Sequence, residues 1–205
     1  MPDRSGAASR WPRRRLVGVA LAVTGALMLG YAATGYARGV VARDAARAAW
    51  DAAEARRAVL GVQSLTVGGE RTTFALGAPV ARLVIPRLGL DEIVVEGVGD
   101  DELRAGPGHV PGSALPGDSG NAVVSAHRDR HFHALDDLRV GDTLRTTSGD
   151  RETSWLVTVR RVVDKDAPAL FASRTARLTL TTCWPVRYLG PAPERLIVTA
   201  EPIAR

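Results

Sequence analysis

The stretch Thr153-Ser154-Trp155-Leu156-Val157-Thr158-Val159-Arg160-Arg161-Val162-Val163 decides the predicted fold of this chain, because its residues alternate. Trp155, Val157 and Val159 fall on one face of an extended backbone, and the residues between them fall on the other. A period of two residues is typical of a β-strand that is buried on one side. The stretch therefore predicts a β-strand of a β-rich domain.

Similar short runs lie on both sides of this stretch, and Gly, Pro and Asp residues separate them. They are Arg82–Ile85, Glu92–Glu96, Asn121–Ala126, Asp142–Thr146, Arg177–Thr182 and Arg195–Ala200. Short strands with turn residues at this spacing predict a mainly β domain, an antiparallel sandwich or barrel. Two short helices are expected beside the strands, at Asp100–Leu103 and His133–Leu138.

The positive charge of the chain belongs to its N-terminal part. Residues 1–79 carry 11 arginines and five acidic residues, whereas residues 80–205 carry 16 basic and 17 acidic residues. The β-rich part shows no arginine stripe with interleaved aromatic residues, which is the usual footprint of nucleic-acid binding. We therefore expect no nucleic-acid partner.

An uncharged segment, Leu16–Tyr36, follows the basic cluster Arg13-Arg14-Arg15. A helix of this length is long enough to cross the hydrocarbon core of a bilayer. The positive-inside rule places the basic residues 1–15 in the cytoplasm and the β-rich part outside the membrane. A cleaved signal peptide is the alternative, but its apolar core is normally shorter. We predict an uncleaved, single-pass membrane anchor over residues 16–36.

The segment between the anchor and the strands divides into two parts. Ala37–Leu60 is rich in Ala and Arg, which favours a helix, and its apolar stripe consists mostly of alanine. Gly61–Pro79 has the composition of a linker. We therefore predict a solvated helical stalk and linker over residues 37–79, and a separate domain over residues 80–205.

Three chemically active residues lie at the ends of three predicted strands. Cys183 is the only cysteine, in the run Leu180-Thr181-Thr182-Cys183-Trp184-Pro185, so it cannot form an internal disulfide. His127 ends one apolar run, and Arg195 opens another. Cysteine, histidine and arginine together are a candidate site for nucleophilic catalysis.

The run Leu180-Thr181-Thr182-Cys183 resembles the TLxTC signature of sortases, the cysteine transpeptidases of Gram-positive bacteria. Asn121–His127 resembles the sortase histidine region, and Tyr188–Arg195 resembles the arginine-bearing stretch of class D and class E enzymes. The residues after the histidine, Arg128–Phe132, are closer to class D. The resemblance covers roughly residues 80–203 and implies a sortase-like β-barrel.

The resemblance implies a role for each of the three residues. Cys183 would be the nucleophile, His127 would hold and return a proton, and Arg195 would stabilise the oxyanion. It further implies that the partners are secreted proteins with a C-terminal sorting signal and, as acceptor, an amine of a peptidoglycan precursor or a pilin. No cofactor is expected.

Substrate contacts are predicted for Thr182 and Trp184, which flank the cysteine, and for His109 in a Gly-Pro-Gly-His turn. For His109, a hydrogen-bonding role in the pocket wall is the alternative.

A zinc site at His127 and His131 is not expected. Zinc proteases with this spacing need a glutamate directly after the first histidine, on a helix, and here an arginine follows a predicted strand.

Two other functions remain open from the sequence. One is a non-catalytic, exported β-domain that binds a cell-wall component, and the other is a thiol hydrolase that uses water as its acceptor. The presence of all three candidate residues favours a transpeptidase.

Overall fold

The computed structural model describes residues 11–60, 74–165, 173–188 and 190–203. A closed barrel of eight strands forms the main body. The strands are β1 (Pro79–Ile85), β2 (Leu90–Glu96), β3 (Gly108–His109), β4 (Asn121–Ser125), β5 (Thr143–Ser148), β6 (Arg151–Asp164), β7 (Arg177–Trp184) and β8 (Glu194–Pro202). The helices are α1 (Trp11–Leu60) and α2 (Asp100–Ala105), with short 3-10 turns at Pro86–Leu88 and Leu135–Asp137. The predicted mainly β fold is confirmed, and of the two expected architectures it is the barrel.

The strands follow the order β1-β2-β3-β4-β7-β8-β6-β5 around the barrel, and β5 closes it on β1. Most neighbours are antiparallel, but β2 with β3 and β4 with β7 are parallel pairs. The β4–β7 pair brings two candidate site residues to the same edge of the sheet, because parallel neighbours end at the same edge. The core inside the barrel includes the fully buried side chains of Trp155, Phe132 and Leu180.

Strand β6 corrects one detail of the predicted alternation. Trp155 and Val157 point into the core as expected, but Val159 is exposed. The pairing of β6 with β8 shifts between Val157 and Val159, so that the extra residue Thr158 forms a β-bulge. A bulge moves every later side chain to the opposite face. The sequence does not reveal it, because Val157, Thr158 and Val159 are all β-branched and each is compatible with a regular strand.

Strand β3 was not predicted. It has only two residues, Gly108 and His109, which is too short for any alternation to appear. Its glycine allows a close approach of two backbones, since a Cβ atom at Gly108 would lie 2.1 Å from the carbonyl oxygen of Gly97. The predicted helix at Asp100–Leu103 is present as α2, and the helix expected at His133–Leu138 is reduced to the 3-10 turn Leu135–Asp137.

The chain forms two compact units, Met1–Gly39 and Val40–Arg205. In the first unit, helix α1 is long and apolar enough to cross a membrane, and its apolar stretch is not covered by the protein. Leu21, Leu27 and Leu29 are examples of its exposed apolar side chains. These properties agree with the predicted anchor.

In the second unit, the remainder of helix α1 packs on the outer face of the barrel. Ala46 and Trp50 are buried against Ile93 and Val95 of β2. The compact unit that contains the barrel thus begins at Val40, inside the segment expected to be a solvated stalk. An alanine stripe is a weak hydrophobic signal, so the contact of Trp50 could not be inferred from periodicity. Most of the predicted linker, residues 61–73, lies outside the described residues.

Candidate active site

Strand register places Cys183 and Arg195 directly opposite one another. They are partners in the antiparallel β7–β8 ladder, one near the end of β7 and the other near the start of β8. Nη1 of Arg195 lies 2.6 Å from Sγ of Cys183, and the cysteine is partly exposed. The guanidinium N–H donates to sulfur, and Sγ is the atom that would act as the nucleophile of a cysteine enzyme.

His127 reaches the same edge of the sheet through the parallel pair β4–β7. Ser125 pairs with Thr181, and His127 and Cys183 each come two residues later on strands that run in the same direction. The two chains stay together past the ladder, since the amide of Ala126 donates to the carbonyl of Thr181 at 3.1 Å. The fold therefore carries the histidine and the cysteine to neighbouring strand ends.

The loop after His127, residues 127–138, is anchored in the barrel core; we call it the histidine loop. Phe132, Leu135 and Leu138 of this loop are fully buried. The amide of Phe132 donates to the carbonyl oxygen of His127 at 3.2 Å. The backbone of His127 is thus held by a hydrogen-bonded turn, and the side chains that follow this turn are buried in the core. The imidazole of His127 is only partly buried.

Two arginines connect the histidine loop to the β7/β8 loop, residues 185–193. Arg128 donates to the carbonyl oxygen of Pro185 at 2.8 Å and also to that of Gly190, and it lies over the ring of Tyr188. In the opposite direction, Arg187 forms ion pairs with Asp136 and Asp137 of the histidine loop. The segments that carry the three candidate residues are therefore joined to one another.

Arg128 and Arg187 were not singled out from the sequence. Arg128 directly follows His127, which was the available signal, but its partners are main-chain oxygens that no side-chain pattern reveals. Arg187 pairs with a carboxylate 50 residues away in the chain.

The three residues predicted to contact substrate have different surroundings. Thr182 is buried, and its hydroxyl donates to the carbonyl of Ala126 at 2.7 Å. This bond joins β7 to the residue before His127, so the hydroxyl of Thr182 is engaged within the fold. Trp184 is partly buried and packs against the edge of the core. The guanidinium of Arg160 lies over its ring, 5.7 Å from the ring centroid. Trp184 is thus the accessible one of the two residues that flank the cysteine.

His109 is 3% exposed, with both ring nitrogens engaged inside the barrel wall. Nδ1 lies 2.6 Å from a carboxylate oxygen of Glu96, and Nε2 lies 2.9 Å from the carbonyl oxygen of Ala114. Oγ of Ser113 also lies 2.9 Å from Nε2. This arrangement fits the hydrogen-bonding alternative, and the prediction that His109 contacts substrate is not supported by any exposed atom.

Within the described part of the chain, no group of three or more His, Cys, Asp or Glu side chains converges as a metal site would require. The carboxyl group with a shifted pKa is that of Asp91, which lies on the outer face of the barrel. The Arg82 guanidinium, which donates to Asp91 at 2.6 and 2.8 Å, holds the pKa of that carboxyl below its usual value.

Comparison with known proteins gives a consistent result. The model of the sortase domain family matches residues 83–203, which is more than half of the chain. Sortase D of Bacillus subtilis (strain 168) is 36% identical over 118 residues. That match covers 57% of this chain and 60% of the relative, so it spans less than two thirds of that protein.

Two solved structures are similar in both fold and sequence. Sortase C-1 from Actinomyces oris superposes with a TM-score of 0.56 at 29% identity, covering 62% of this chain and 76% of that one. The catalytic domain of the B. anthracis sortase D gives 0.55 at 29% identity, covering 68% and 97%. The chain belongs to the sortase family, and its relatives include class C and class D enzymes.

Proposed function

We propose that this chain is a membrane-anchored cysteine transpeptidase. It cleaves a C-terminal sorting signal of the LPxTG type and transfers the protein to an amine of the cell wall or a pilin. The observation that carries the proposal is the 2.6 Å contact between Sγ of Cys183 and the guanidinium of Arg195, at the edge of the sheet where β4 delivers His127. Membership of the sortase family supports the reaction class.

In the first half-reaction, the thiolate of Cys183 attacks the carbonyl carbon of the scissile peptide bond. The carbonyl oxygen becomes an oxyanion, and the Arg195 guanidinium beside Sγ is close enough to donate to it. The C–N bond then breaks, and the leaving amine takes a proton from His127. The product is a thioester between the substrate and Cys183.

In the second half-reaction, an acceptor amine gives a proton to His127 and attacks the thioester carbonyl. The oxyanion forms again beside Arg195. The C–S bond breaks, which restores the Cys183 thiolate and leaves a new amide bond. A substrate protein is thereby joined to the acceptor without an external energy source, because one acyl bond replaces another.

The apolar stretch of helix α1 supports the proposed location. With the basic residues 1–15 held in the cytoplasm, a single span places the barrel on the outer side, where secreted substrates and cell-wall amines are found. The proposed partners are therefore exported proteins with a sorting signal, and the proposed acceptor is an amine anchored in the wall or in a pilin.

The test is cleavage of sorting-signal peptides by the full chain in detergent, with and without an added amine. We expect Cys183→Ala to abolish cleavage and His127→Ala to remove nearly all of it, while the thermal unfolding temperature stays close to that of the wild type. Cleavage by the Cys183→Ala variant at the wild-type rate would show that the assignment is wrong.

The same assay separates the alternatives. A transpeptidase diverts the product from acid to amide when amine is added, whereas a thiol hydrolase keeps producing the acid. A non-catalytic wall-binding domain cleaves no peptide of any sequence, yet retains peptidoglycan fragments on a column.

A further inference from the structure

Residues 40–60 of helix α1 lie outside the membrane in the proposed topology, and we call them the exported half of the helix. This segment forms polar contacts with the barrel beside the buried patch around Trp50. Arg43 holds Glu92 with two hydrogen bonds, at 2.6 and 3.1 Å. One turn further along the helix, Arg47 donates to the carbonyl oxygen of Asp91 at 2.7 Å. Two arginines therefore fix the helix to the start of β2. Their partners, Glu92 and Asp91, have different neighbours.

Glu92 is a buried carboxylate with partners on two sides. Its side chain is 10% exposed, and Arg43 is the cation that reaches it from the helix. On the other side, Nδ1 of His131 lies 3.4 Å from Oε1 of Glu92. Nε2 of His131 is buried and has no hydrogen-bond partner among the described residues. Glu92 is thus in polar contact with the ring of His131, and the Arg43 guanidinium offsets the cost of burying the carboxyl group of Glu92.

His131 belongs to the histidine loop and precedes Phe132, whose amide donates to the carbonyl of His127. Strand register explains why Glu92 is near this loop. Val95 of β2 pairs with Gly108, and Gly108 pairs with Ser125 of β4. Strands β2 and β4 therefore run in opposite directions, with Val95 and Ser125 at the same height in the barrel. Going backwards along β2 from Val95 to Glu92 leads to the same end of the barrel as going forwards along β4 from Ser125 to His127. Glu92 therefore lies at the active-site end of the barrel.

We propose that Arg43 is a positioning residue for catalysis: through Glu92 and His131 it fixes the loop that presents His127 to Cys183. The exported half of helix α1 is then a part of the catalytic unit and not a spacer. This inference rests on the proposed function, since it assigns His127 a proton-transfer role. It does not require Arg43 to touch substrate, because the effect passes through the histidine loop.

The variants are made in the full chain. Arg43→Ala removes the cation, and Arg43→Lys keeps the charge but loses the planar fork that binds both carboxylate oxygens. Arg47→Ala is the control, because it removes a contact of the same helix with the barrel whose partner, Asp91, is half-exposed and paired with Arg82 on β1. The kcat and KM for a sorting-signal peptide and the hydrogen exchange of the Phe132 amide are measured for each variant.

We expect Arg43→Ala to lower kcat roughly ten-fold with little change in KM, because general acid catalysis is weakened while the substrate groove is intact. Arg43→Lys should recover part of this loss, and Arg47→Ala should remain within about two-fold of the wild type. The Phe132 amide should exchange faster in Arg43→Ala than in Arg47→Ala.

Three results would overturn the proposal. One is equal kcat and equal exchange in Arg43→Ala and Arg47→Ala, and another is faster exchange with an unchanged kcat. The third is a loss confined to KM. The exchange measurement does not depend on turnover, so it remains decisive even if the wild-type chain proves to cleave no sorting peptide and the proposed function fails.

Discussion

Among single residues, Arg195 brings both a positive charge and a planar set of N–H donors to Sγ of Cys183. Its guanidinium donates to Sγ of Cys183 and has further N–H groups available for a developing oxyanion. A lysine at this position would keep the charge but present it as a point, without the planar fork. We expect Arg195→Lys to lose about 100-fold in kcat, the effect typical of removing an oxyanion donor. The measurement is steady-state cleavage of a sorting-signal peptide.

The control for that prediction is Arg104→Lys, because Arg104 pairs with Asp101 of the same short helix α2, which follows the end of β2 opposite Glu92. The control should retain wild-type kinetics. Near-normal kcat in Arg195→Lys would mean that the arginine only supports the β7–β8 ladder.

The sequence singles out Cys183, His127 and Arg195 because each lies at the end of an apolar run, and their roles come from the resemblance to sortases. Their connection through Arg128 could not be predicted, since the partners are carbonyl oxygens of Pro185 and Gly190. The burial of His109 beside Glu96 could not be predicted either. It depends on the two-residue strand β3, which leaves no pattern in the sequence.

Among the elements, helix α1 has the least predictable surroundings. Trp50 is 3% exposed, although it belongs to a segment with the composition of a solvated stalk. We expect Trp50→Ala to lower the free energy of unfolding by about 3–5 kcal/mol, as large-to-small changes at buried aromatic residues do. Denaturant unfolding of the full chain in detergent measures it.

The matched change on the same helix is Val59→Ala, because Val59 is 84% exposed. It should leave the unfolding midpoint unchanged. If Trp50→Ala has an equally small effect, the helix does not contribute to the stability of the barrel, and the packing of Trp50 against β2 is not maintained in solution.

All strands except β3 were predicted, because alternation and turn residues report on burial directly. The bulge in β6 escaped prediction for a physical reason. Thr158 is compatible with a regular strand, and only the pairing with β8 shows that it is the extra residue. Local sequence therefore determines which segments are extended, whereas register depends on the partner strand.

For the whole molecule, the prediction concerns which side of the membrane the barrel occupies. Since basic residues stay in the cytoplasm, Cys183 should be outside. A membrane-impermeant maleimide added to intact cells should label Cys183 of the full chain. A Ser9→Cys change in the Cys183→Ala background should be labelled only after the cells are lysed.

Labelling of both positions in intact cells, or of neither, would contradict this topology. A mature protein whose first residue comes after Tyr36 would instead show that the apolar stretch is a signal peptide that is removed. In that case Arg43 and Trp50 would still be present, so the contacts of the exported helix with β2 would survive cleavage.

The solitary thiol at the end of β7 makes the protein sensitive to oxidants. A partly exposed cysteine is accessible to peroxides, which oxidise it to a sulfenic acid. Many thiol enzymes reverse this step with a second, resolving cysteine, but this sequence contains only Cys183. An oxidised Cys183 can return to the thiol only by exchange with a reductant from another molecule, so the working life of the site depends on the redox state of its surroundings.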